Sequence, residues 1–203
     1  MTRAPTVPER PEGLLYRPDF ISEPEEHEIV AVLEAMEFHE VTMRGQTARR
    51  TVRHFGFDYD YENWRLAPAE PLPASLAWVR NRCAELAEVE QPEELAQALV
   101  SRYPPGATIG WHRDAPMFGS PVIGVSLLSA CRMRFQRSVQ GVRRLHELDL
   151  APRSAYVLAG AARAAWQHSI PPTKSLRYSI TFRTLKNPSR WTDRGSSKAA
   201  RDG

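Results

Sequence analysis

Cysteine is scarce in this sequence, which has only Cys83 and Cys131 among its 203 residues. The two lie far apart and form no Cys-x-x-Cys pair, so the sequence indicates neither a disulfide scaffold nor a cysteine-based zinc site. We expect both cysteines to be reduced residues of the core type, as in a cytoplasmic protein.

Long hydrophobic runs are also missing. The first 15 residues are rich in charge and proline and contain no apolar run typical of a signal peptide or a membrane span. We therefore expect a soluble, intracellular protein without a membrane partner. Excess charge is small as well, because the net charge is +3 and the pI is about 9.1. This slightly favours a polyanionic partner such as nucleic acid.

Low complexity is confined to the two ends of the chain. Residues 1–15 and 187–203 lack apolar periodicity and are expected to be flexible. A length of 203 residues fits one domain, which we place at 16–186 and expect to act as a monomer. Within it, residues 16–95 are expected to hold helices and a substrate lid, and residues 96–186 a core of strands.

Two helices are predicted in the first half of the chain. Ser22-Glu-Pro-Glu25 has the pattern of a capping box, and the stretch after it is amphipathic. Its apolar face comprises Ile29, Val32, Leu33 and Met36. A second helix is predicted over residues 76–86.

From about Ala96 the pattern changes to short alternating runs separated by turns. The predicted strands span residues 99–103, 108–114, 122–128, 133–136, 145–150, 155–158 and 177–184. Because no long helices separate them, we expect an antiparallel sandwich or barrel, and such a run suits a jelly roll. Periodicity alone does not distinguish the jelly roll from another all-β sandwich.

His112-Arg113-Asp114 is the first candidate for metal binding. In a strand, residues two apart point to the same side, so His112 and Asp114 can approach one ion. With a second imidazole, this set can hold ferrous iron and leave coordination positions open. The alternative is a surface turn in which Asp114 caps a backbone amide.

The same three letters open the catalytic loop of protein kinases. There, an Asn five residues after the Asp and a downstream Asp-Phe-Gly hold magnesium. Here, position 119 is Gly119, no Asp-Phe-Gly follows, and the chain is too short for a kinase. The kinase interpretation is therefore rejected.

His168 and His146 compete for the place of the third ligand. His146 lies in His146-Glu-Leu-Asp149, where alternation with charged residues indicates a solvated strand face. His168 is followed nine residues later by a strand that carries an arginine at each end, Arg177 and Arg183. We favour His168 for this reason.

The strand from Arg177 to Arg183 alternates polar with apolar residues. Its two arginines lie about 20 Å apart at Cα if the strand is extended. Inclined inward, they leave a gap of about 8 Å, comparable with a five-carbon dicarboxylate held by two bidentate clamps. The alternative is a strand whose terminal arginines face solvent.

Taken together, these pieces resemble the AlkB family of iron(II)- and 2-oxoglutarate-dependent dioxygenases. The resemblance covers residues 99–185, with a fainter part at 49–61. Its pieces are Ser101-Arg-Tyr103-Pro-Pro-Gly106, His112-Arg-Asp114, Arg163 five residues before His168, and Arg177-Tyr-Ser-Ile-Thr-Phe-Arg183. The resemblance implies a mainly β fold with flanking helices, a double-stranded β-helix (jelly roll), with Fe(II), 2-oxoglutarate and dioxygen as cofactor and cosubstrates.

The resemblance also implies roles for individual residues. His112, Asp114 and His168 would hold the iron. Arg177 would grip the distal carboxylate of 2-oxoglutarate, Arg183 would lie near its C1 end, and Tyr103 would donate from the preceding strand. Ser101 and Ser179 stand where members often carry Asn, so the contacts that they make would be weaker or bridged by water.

The implied activity is oxidative demethylation of N-alkylated bases in DNA or RNA. Basic and aromatic residues upstream, among them Arg44 and Arg49, can meet phosphates and stack on an extruded base. The residues assigned to substrate are Arg50, Arg53, Phe55, Tyr59, Tyr61, Trp111 and Arg163. The alternative for the upstream segment is an ordinary strand and turn with packed aromatics.

Two other functions remain open at this stage. One is an oxygenase of the same type acting on a protein or small molecule, and the other is a nucleic-acid binding module with a degenerate metal site. The intact ligands and arginines argue against the second. Ala115-Pro116-Met117 stands where repair members of the family often place acidic residues, and this departure concerns the substrate rather than the chemistry.

Overall fold

Strands dominate the computed structural model, which describes residues 6–43, 45–60 and 65–186. The strands are β1 (Thr6–Pro8), β2 (Leu14–Arg17), β3 (His39–Met43), β4 (Gln46–Phe55), β5 (Phe57–Asp60), β6 (Arg65–Pro68), β7 (Gln97–Tyr103), β8 (Ile109–His112), β9 (Phe118–Leu127), β10 (Cys131–Val139), β11 (Val142–Leu150), β12 (Ser154–Leu158), β13 (Gln167–Ile170) and β14 (Arg177–Leu185). The helices are α1 (Glu23–Glu34), α2 (Ala77–Leu86) and α3 (Gly160–Ala164), with 3-10 turns at Ala74–Leu76 and Pro92–Glu94. The predicted mainly β fold with flanking helices is confirmed.

The strands form two sheets that lie face to face, beside the separate hairpin of β5 and β6. The larger sheet has the order β2-β12-β9-β14-β7-β4-β3, and the smaller one has the order β1-β11-β10-β13-β8. Val122 and Tyr156 of the larger sheet pack in one cluster with Met133, Phe135 and Leu150 of the smaller sheet. The space between the sheets is therefore the interior of a jelly roll.

The helices cover the outer face of the larger sheet. Their buried contacts to β9 and β14 include Ile29, Leu33, Val79 and Cys83 on the helices and Val125, Ile180 and Phe182 on the strands. Alternate residues of a strand face opposite sides. Strand β14 consequently turns its apolar residues to the helices and its arginines to the interior, as the alternation predicts.

The predicted capping box of α1 is confirmed. The Ser22 hydroxyl accepts a hydrogen bond from the Glu25 N–H at 3.4 Å, and the Glu25 carboxylate accepts from the Ser22 N–H at 2.8 Å. Arg82 of α2 donates two hydrogen bonds to the same carboxylate, at 2.7 and 3.0 Å. The start of α1 is thereby tied to α2.

The N-terminal segment differs from the prediction that residues 1–15 are flexible. Strand β1 pairs with β11 in parallel, and β2 pairs with β12. Leu14 is buried between the sheets, and a Cβ at Gly13, whose φ is +81°, would lie 2.2 Å from the carbonyl oxygen of Ala159. Sheet pairing and close packing therefore hold residues 6–15. Residues 1–5 and the predicted tail at 187–203 lie outside the described residues.

The later strands follow the prediction with two differences. Strand β13 was not predicted, because it is only four residues long and two prolines follow it. The strand predicted over 108–114 ends at His112, so Asp114 lies in the loop beyond β8. Strands β3 to β6 also occupy the segment that the sequence assigned to a lid, which agrees with the alternative of strands and turns.

The two cysteines are both free, as expected, and Cys83 is buried. Among the described residues, none of the helices has the length and apolarity that a membrane crossing needs.

Removing the charge of Glu25 tests the connection between α1 and α2. Hydrogen bonds from Arg82 and then from the Ser22 N–H lower the pKa of Glu25 from 4.5 to about 2. We expect Glu25→Gln to lower the free energy of unfolding at pH 7 by about 1 kcal/mol, since the pair is partly exposed.

A carboxyl with a lowered folded-state pKa stabilises the fold above its unfolded pKa and loses that contribution as the pH falls through the folded value. The difference between wild type and Glu25→Gln should therefore shrink as the pH falls from about 4.5 toward about 2. Urea unfolding over that range measures it. Glu28→Gln, on the exposed side of α1, is the matched control, and an equal effect of the two variants would contradict the assignment.

Candidate active site

Two histidines from strands distant in sequence meet on the smaller sheet. His112 ends β8, and His168 lies opposite it in the β8–β13 pairing. Their ring centroids are 4.2 Å apart. His112 Nδ1 is 2.9 Å from the carbonyl oxygen of Gly110, which orients the ring and leaves Nε2 available as a ligand.

Asp114 joins the two histidines from the loop after β8. Its Oδ2 lies 3.9 Å from His168 Nε2, and its Oδ1 accepts a hydrogen bond from Arg183 of β14 at 2.8 Å. The expected strand geometry is therefore corrected, because a loop and not a shared strand face brings Asp114 to His112. The side chain of Asp114 is only 4% exposed.

Arg163 of α3 holds that loop in place. Its guanidinium donates to four backbone carbonyls, those of Asp114, Ala115, Phe118 and Gly119, at 2.8 to 3.4 Å. We assigned Arg163 to substrate, and the structure corrects this assignment. Its donors are directed at the chain itself, so its contribution is to position Asp114.

Burial and charge set the protonation states of this cluster. Burial lowers the pKa of His168 to about 3 and also lowers the pKa of His112. Burial alone would raise the pKa of Asp114, but the Arg183 guanidinium together with the neighbouring His168, His112 and Arg163 outweighs it and holds that pKa below the usual range. Two neutral imidazoles and one carboxylate are the donor set that a divalent transition metal requires.

The other histidine candidate lies elsewhere. His146 of β11 is paired with Phe135 of β10, and its ring is 6.1 Å from the phenyl ring. His168 lies 6.2 Å from the same phenyl ring and is the histidine beside Asp114. Over the described residues, no three His, Cys, Asp or Glu side chains have the geometry of a formed metal site. The assignment of iron therefore rests on proximity, burial and protonation.

Arg177 carries a positive charge into the interior, where no carboxylate of the described residues pairs with it. It is 1% exposed, its Nε donates to Ser126 Oγ at 3.1 Å, and its guanidinium lies 5.0 Å from the centre of the Tyr103 ring. Its Nη1 is sealed from solvent and has no hydrogen-bond partner among the described residues. A buried, unpaired guanidinium is costly, so this site is complete only with an anionic ligand.

The other residues predicted to bind 2-oxoglutarate line the same face. Ser179 of β14 and Ser101 of β7 are register partners, and both are buried. Arg183, expected near the C1 end of the cosubstrate, pairs with Asp114 and donates to Gln97 at 3.2 Å. In the structure, Arg183 therefore orients the predicted iron ligand.

Arg50 is buried, contrary to its expected role as a phosphate contact. It is 6% exposed, and its Nη1 donates to Ser101 Oγ at 3.1 Å. On strand β4, residues alternate between the two faces, so Arg50 points to the interior like Val52 and His54. It adds a third guanidinium beside Arg177 and Arg183.

Two aromatic residues also have positions that differ from the prediction. Phe55 is buried in the cluster under the helices, which excludes base stacking. Trp111 lies on the opposite side of β8 from His112, where Arg134 is 5.2 Å from its ring centre. Tyr61, another aromatic residue assigned to substrate, and the basic residue Arg44 fall outside the described residues.

Arg53 and Tyr59 border a cleft of about 720 Å³ between β3, β4 and the β5–β6 hairpin. Tyr59 packs edge-on against Phe118, and Arg53 pairs with Glu70 and His39. The charged and ionisable side chains of the cleft are His39, Glu40, Arg53, His54, Asp58 and Glu70. The cleft thus has mixed charge.

His54 is a further residue of this region that the sequence does not single out. Its Nδ1 lies 2.7 Å from Asp58, and burial lowers its pKa to about 4 with contributions from Arg183 and Arg50. His54 therefore connects the cleft with the buried arginines. Its pattern in the sequence, an alternating strand beside Arg53 and Phe55, gave no sign of which face it occupies.

Comparison with known proteins gives matches over most of the chain. A model described as the 2OG-Fe(II) oxygenase superfamily matches residues 13–183. The mouse protein tRNA (carboxymethyluridine(34)-5-O)-methyltransferase ALKBH8 is 33% identical over 81% of this chain and 25% of its own length. The Arabidopsis thaliana protein named alkylated DNA repair protein ALKBH8 homolog is 26% identical over 86% of this chain and 59% of its own. The chain thus spans a quarter to about three fifths of these relatives.

Solved structures have the same fold. The structure of OsALKBH1 matches with a TM-score of 0.65 and 16% identity over 87% of this chain and 98% of that one. A Pseudomonas putida prolyl-4-hydroxylase matches with a TM-score of 0.60 and 12% identity over 86% and 93% of the two chains. At such identities the likeness concerns the fold alone.

Replacing each histidine tests the choice of third ligand. We expect His168→Ala to weaken Mn(II) binding at least about a hundredfold. Replacing even a residue that only hydrogen-bonds to a metal ligand lowers metal affinity about 10–100-fold, and loss of a ligand should cost more. His146→Ala is the matched control and should bind as the wild type does. Calorimetric titration of the purified proteins measures both affinities, and the opposite ranking would refute the choice.

Proposed function

This chain belongs to the 2OG-Fe(II) oxygenase superfamily as an AlkB-like member, and we propose that it oxidatively demethylates N-alkylated bases in DNA or RNA. The observation that carries this proposal is the buried, incompletely paired Arg177 on the interior face that also presents Arg183 to Asp114. An anion site beside a cluster of metal-binding donors is what a dicarboxylate cosubstrate and an iron need.

The family implies Fe(II), 2-oxoglutarate and dioxygen as cofactor and cosubstrates. When bound, they supply oxidation of a substrate C–H bond, coupled to conversion of 2-oxoglutarate to succinate and CO2. The residues of this chain bind and orient these groups and keep water away from them.

The proposed iron ligands are His112, Asp114 and His168. Both imidazoles are held neutral by burial, and the Asp114 carboxylate is held anionic by Arg183. No ligand therefore has to lose a proton at neutral pH before the metal binds. Arg183 occupies one oxygen of Asp114 and leaves Oδ2, on the side of His168, for the metal.

Arg177 is the proposed anchor for the distal carboxylate of 2-oxoglutarate. Ser126 and Tyr103 fix its guanidinium from either side, so its free N–H donors are oriented before the ligand arrives. Ser179, two residues after Arg177 and on the same face of β14, supplies a hydroxyl to the same region. Pre-oriented donors reduce the entropy lost when the ligand binds.

The mixed-charge cleft beside β4 is the proposed site of the substrate base. His54 and Asp58 can donate to and accept from the polar edge of a base, and the buried Tyr59 lines the same cleft. Two of the relatives carry names that refer to tRNA and to alkylated DNA, which supports a nucleic-acid substrate. Oxidation of an N-methyl group there gives a hydroxymethyl group, which leaves as formaldehyde and restores the N–H.

Replacing Arg177 tests the cosubstrate site. We expect Arg177→Met to raise the 2-oxoglutarate concentration needed for half-saturation at least about a hundredfold, because breaking a buried ion pair costs about 3–5 kcal/mol. Succinate formation at rising 2-oxoglutarate measures this. Arg132→Ala removes an exposed arginine that pairs with Asp149 and is the control. An unchanged requirement in Arg177→Met would show that the anchor is misassigned.

The substrate class is tested with methylated oligonucleotides. We expect the iron-loaded protein with 2-oxoglutarate to remove methyl groups from single-stranded DNA or RNA, seen as a loss of 14 Da per base by mass spectrometry. Asp114→Ala is the inactive control. Succinate formed with a protein or small molecule, and no loss of methyl from any oligonucleotide, would instead support the alternative substrate class.

A further inference from the structure

Tyr156 and Gly124 form a pair at the centre of the larger sheet. The two are register partners on β12 and β9. A Cβ added to Gly124 would lie 2.3 Å from Cζ, 2.4 Å from Cε1 and 2.5 Å from the hydroxyl oxygen of Tyr156. The phenol therefore lies across the backbone of Gly124, and any larger residue there would displace it.

The direction of the phenol follows from the strand order. Strand β9 lies between β12 and β14, and Gly124 is paired with Thr181 of β14 on its other side. By crossing Gly124, the ring carries its hydroxyl from β12 toward the interior face of β14. That face holds Arg177, Ser179, Thr181 and Arg183.

The electrostatic surroundings of Tyr156 agree with this direction. The charged and ionisable groups that act on its hydroxyl are Arg177, Asp114, Tyr103 and Arg183, all of which belong to the candidate active site. Burial is the largest influence and raises the pKa of Tyr156, so the hydroxyl stays protonated and can donate. The phenol thus borders the same space as the proposed cosubstrate site.

The ring itself has an ordinary packing role, but the hydroxyl does not. Tyr156 packs with Leu14, Met133, Phe135, Leu150 and Trp166, a cluster that a phenylalanine would fill as well. Tyr156 is 8% exposed, its hydroxyl makes no hydrogen bond within the described part of the chain, and that oxygen is not among the polar atoms sealed from solvent. A tyrosine hydroxyl with an apolar body in the core usually finds a hydrogen-bond partner. Here the hydroxyl borders open space and is available to donate to a ligand that accepts a hydrogen bond.

We propose that Tyr156 is a cosubstrate-binding residue whose hydroxyl, reaching across Gly124, donates a hydrogen bond to the carboxylate of 2-oxoglutarate that Arg177 holds. This inference rests on the proposed function. Arg177 and Tyr103 are paired on neighbouring strands, and Ser126 of β9 contacts Arg177 from the other side. Tyr156 of β12 joins Tyr103 and Ser126 around this carboxylate site. Gly124 is needed because a side chain there would occupy the space of the phenol ring.

Binding of 2-oxoglutarate to the Mn(II)-loaded protein, followed by calorimetry, tests the proposal without turnover. We expect Tyr156→Phe to raise the dissociation constant about tenfold or more, because a hydrogen bond to a charged group is lost while the packing stays. The thermal midpoint without 2-oxoglutarate should not fall. Tyr16→Phe is the matched control, since Tyr16 is the register partner of Tyr156 on β2 and its hydroxyl is already engaged by the Ala151 N–H at 3.1 Å.

Gly124→Ala gives a second, independent test. The added methyl should displace the phenol and weaken 2-oxoglutarate binding at least as much as Tyr156→Phe does. In a Tyr156→Ala background, the same substitution has no ring to displace and should cost little more. Equal effects of Gly124→Ala in both backgrounds would overturn the role of the pair.

The outcomes separate this inference from the proposed function. If the wild type and Tyr156→Phe bind 2-oxoglutarate equally within twofold while Arg177→Met does not bind it, the role of Tyr156 is refuted and the anchor stands. If the wild type with Mn(II) binds no 2-oxoglutarate, the proposed function fails and this inference fails with it. Weakened binding in both Tyr156→Phe and Gly124→Ala, with Tyr16→Phe unchanged, supports it.

Discussion

Buried positive charge is the constraint on which the site depends. The guanidiniums of Arg50, Arg177 and Arg183 lie between the two sheets, and among the described residues Asp114 is the carboxylate that pairs with any of them. Charges in a dry interior are tolerated only when opposite charges accompany them. A dianionic cosubstrate is therefore part of the electrostatic balance of the interior, and Asp114, shared between Arg183 and the proposed iron, joins the anion site to the metal site.

The larger sheet makes this arrangement possible because both of its faces are covered. Helices α1 and α2 pack on its outer face, and the smaller sheet closes the inner one. Strand β14 lies between β9 and β7, so its arginines are held from both sides by residues of neighbouring strands. A guanidinium fixed in this way has its remaining donors directed at one place, which suits the recognition of a carboxylate.

The cleft proposed to bind the substrate differs in its charges from a basic surface that attracts a polyanion. Arg50 and Phe55, which the sequence suggested for phosphate contact and base stacking, are buried, and Arg53 is paired with Glu70. The cleft next to the site combines acidic, basic and aromatic side chains. Such a lining suits hydrogen bonding to the edges of one base better than general attraction to a phosphate backbone, and His54 links it to the interior.

Much of this protein was determined by local properties of its sequence. The capping box at Ser22, the alternation of β14 and the residue types of the candidate iron ligands can be found without a structure, because each is visible in short stretches of the sequence. The arginine-bearing strand that follows His168 favoured it over His146, whose alternation with charged residues indicated a solvated face. Only the tertiary structure decided that β8 and β13 are paired, that Asp114 arrives from a loop held by Arg163, and that the phenol of one strand lies across a glycine of the next. These facts depend on the register and packing of strands far apart in the chain, which local patterns do not encode.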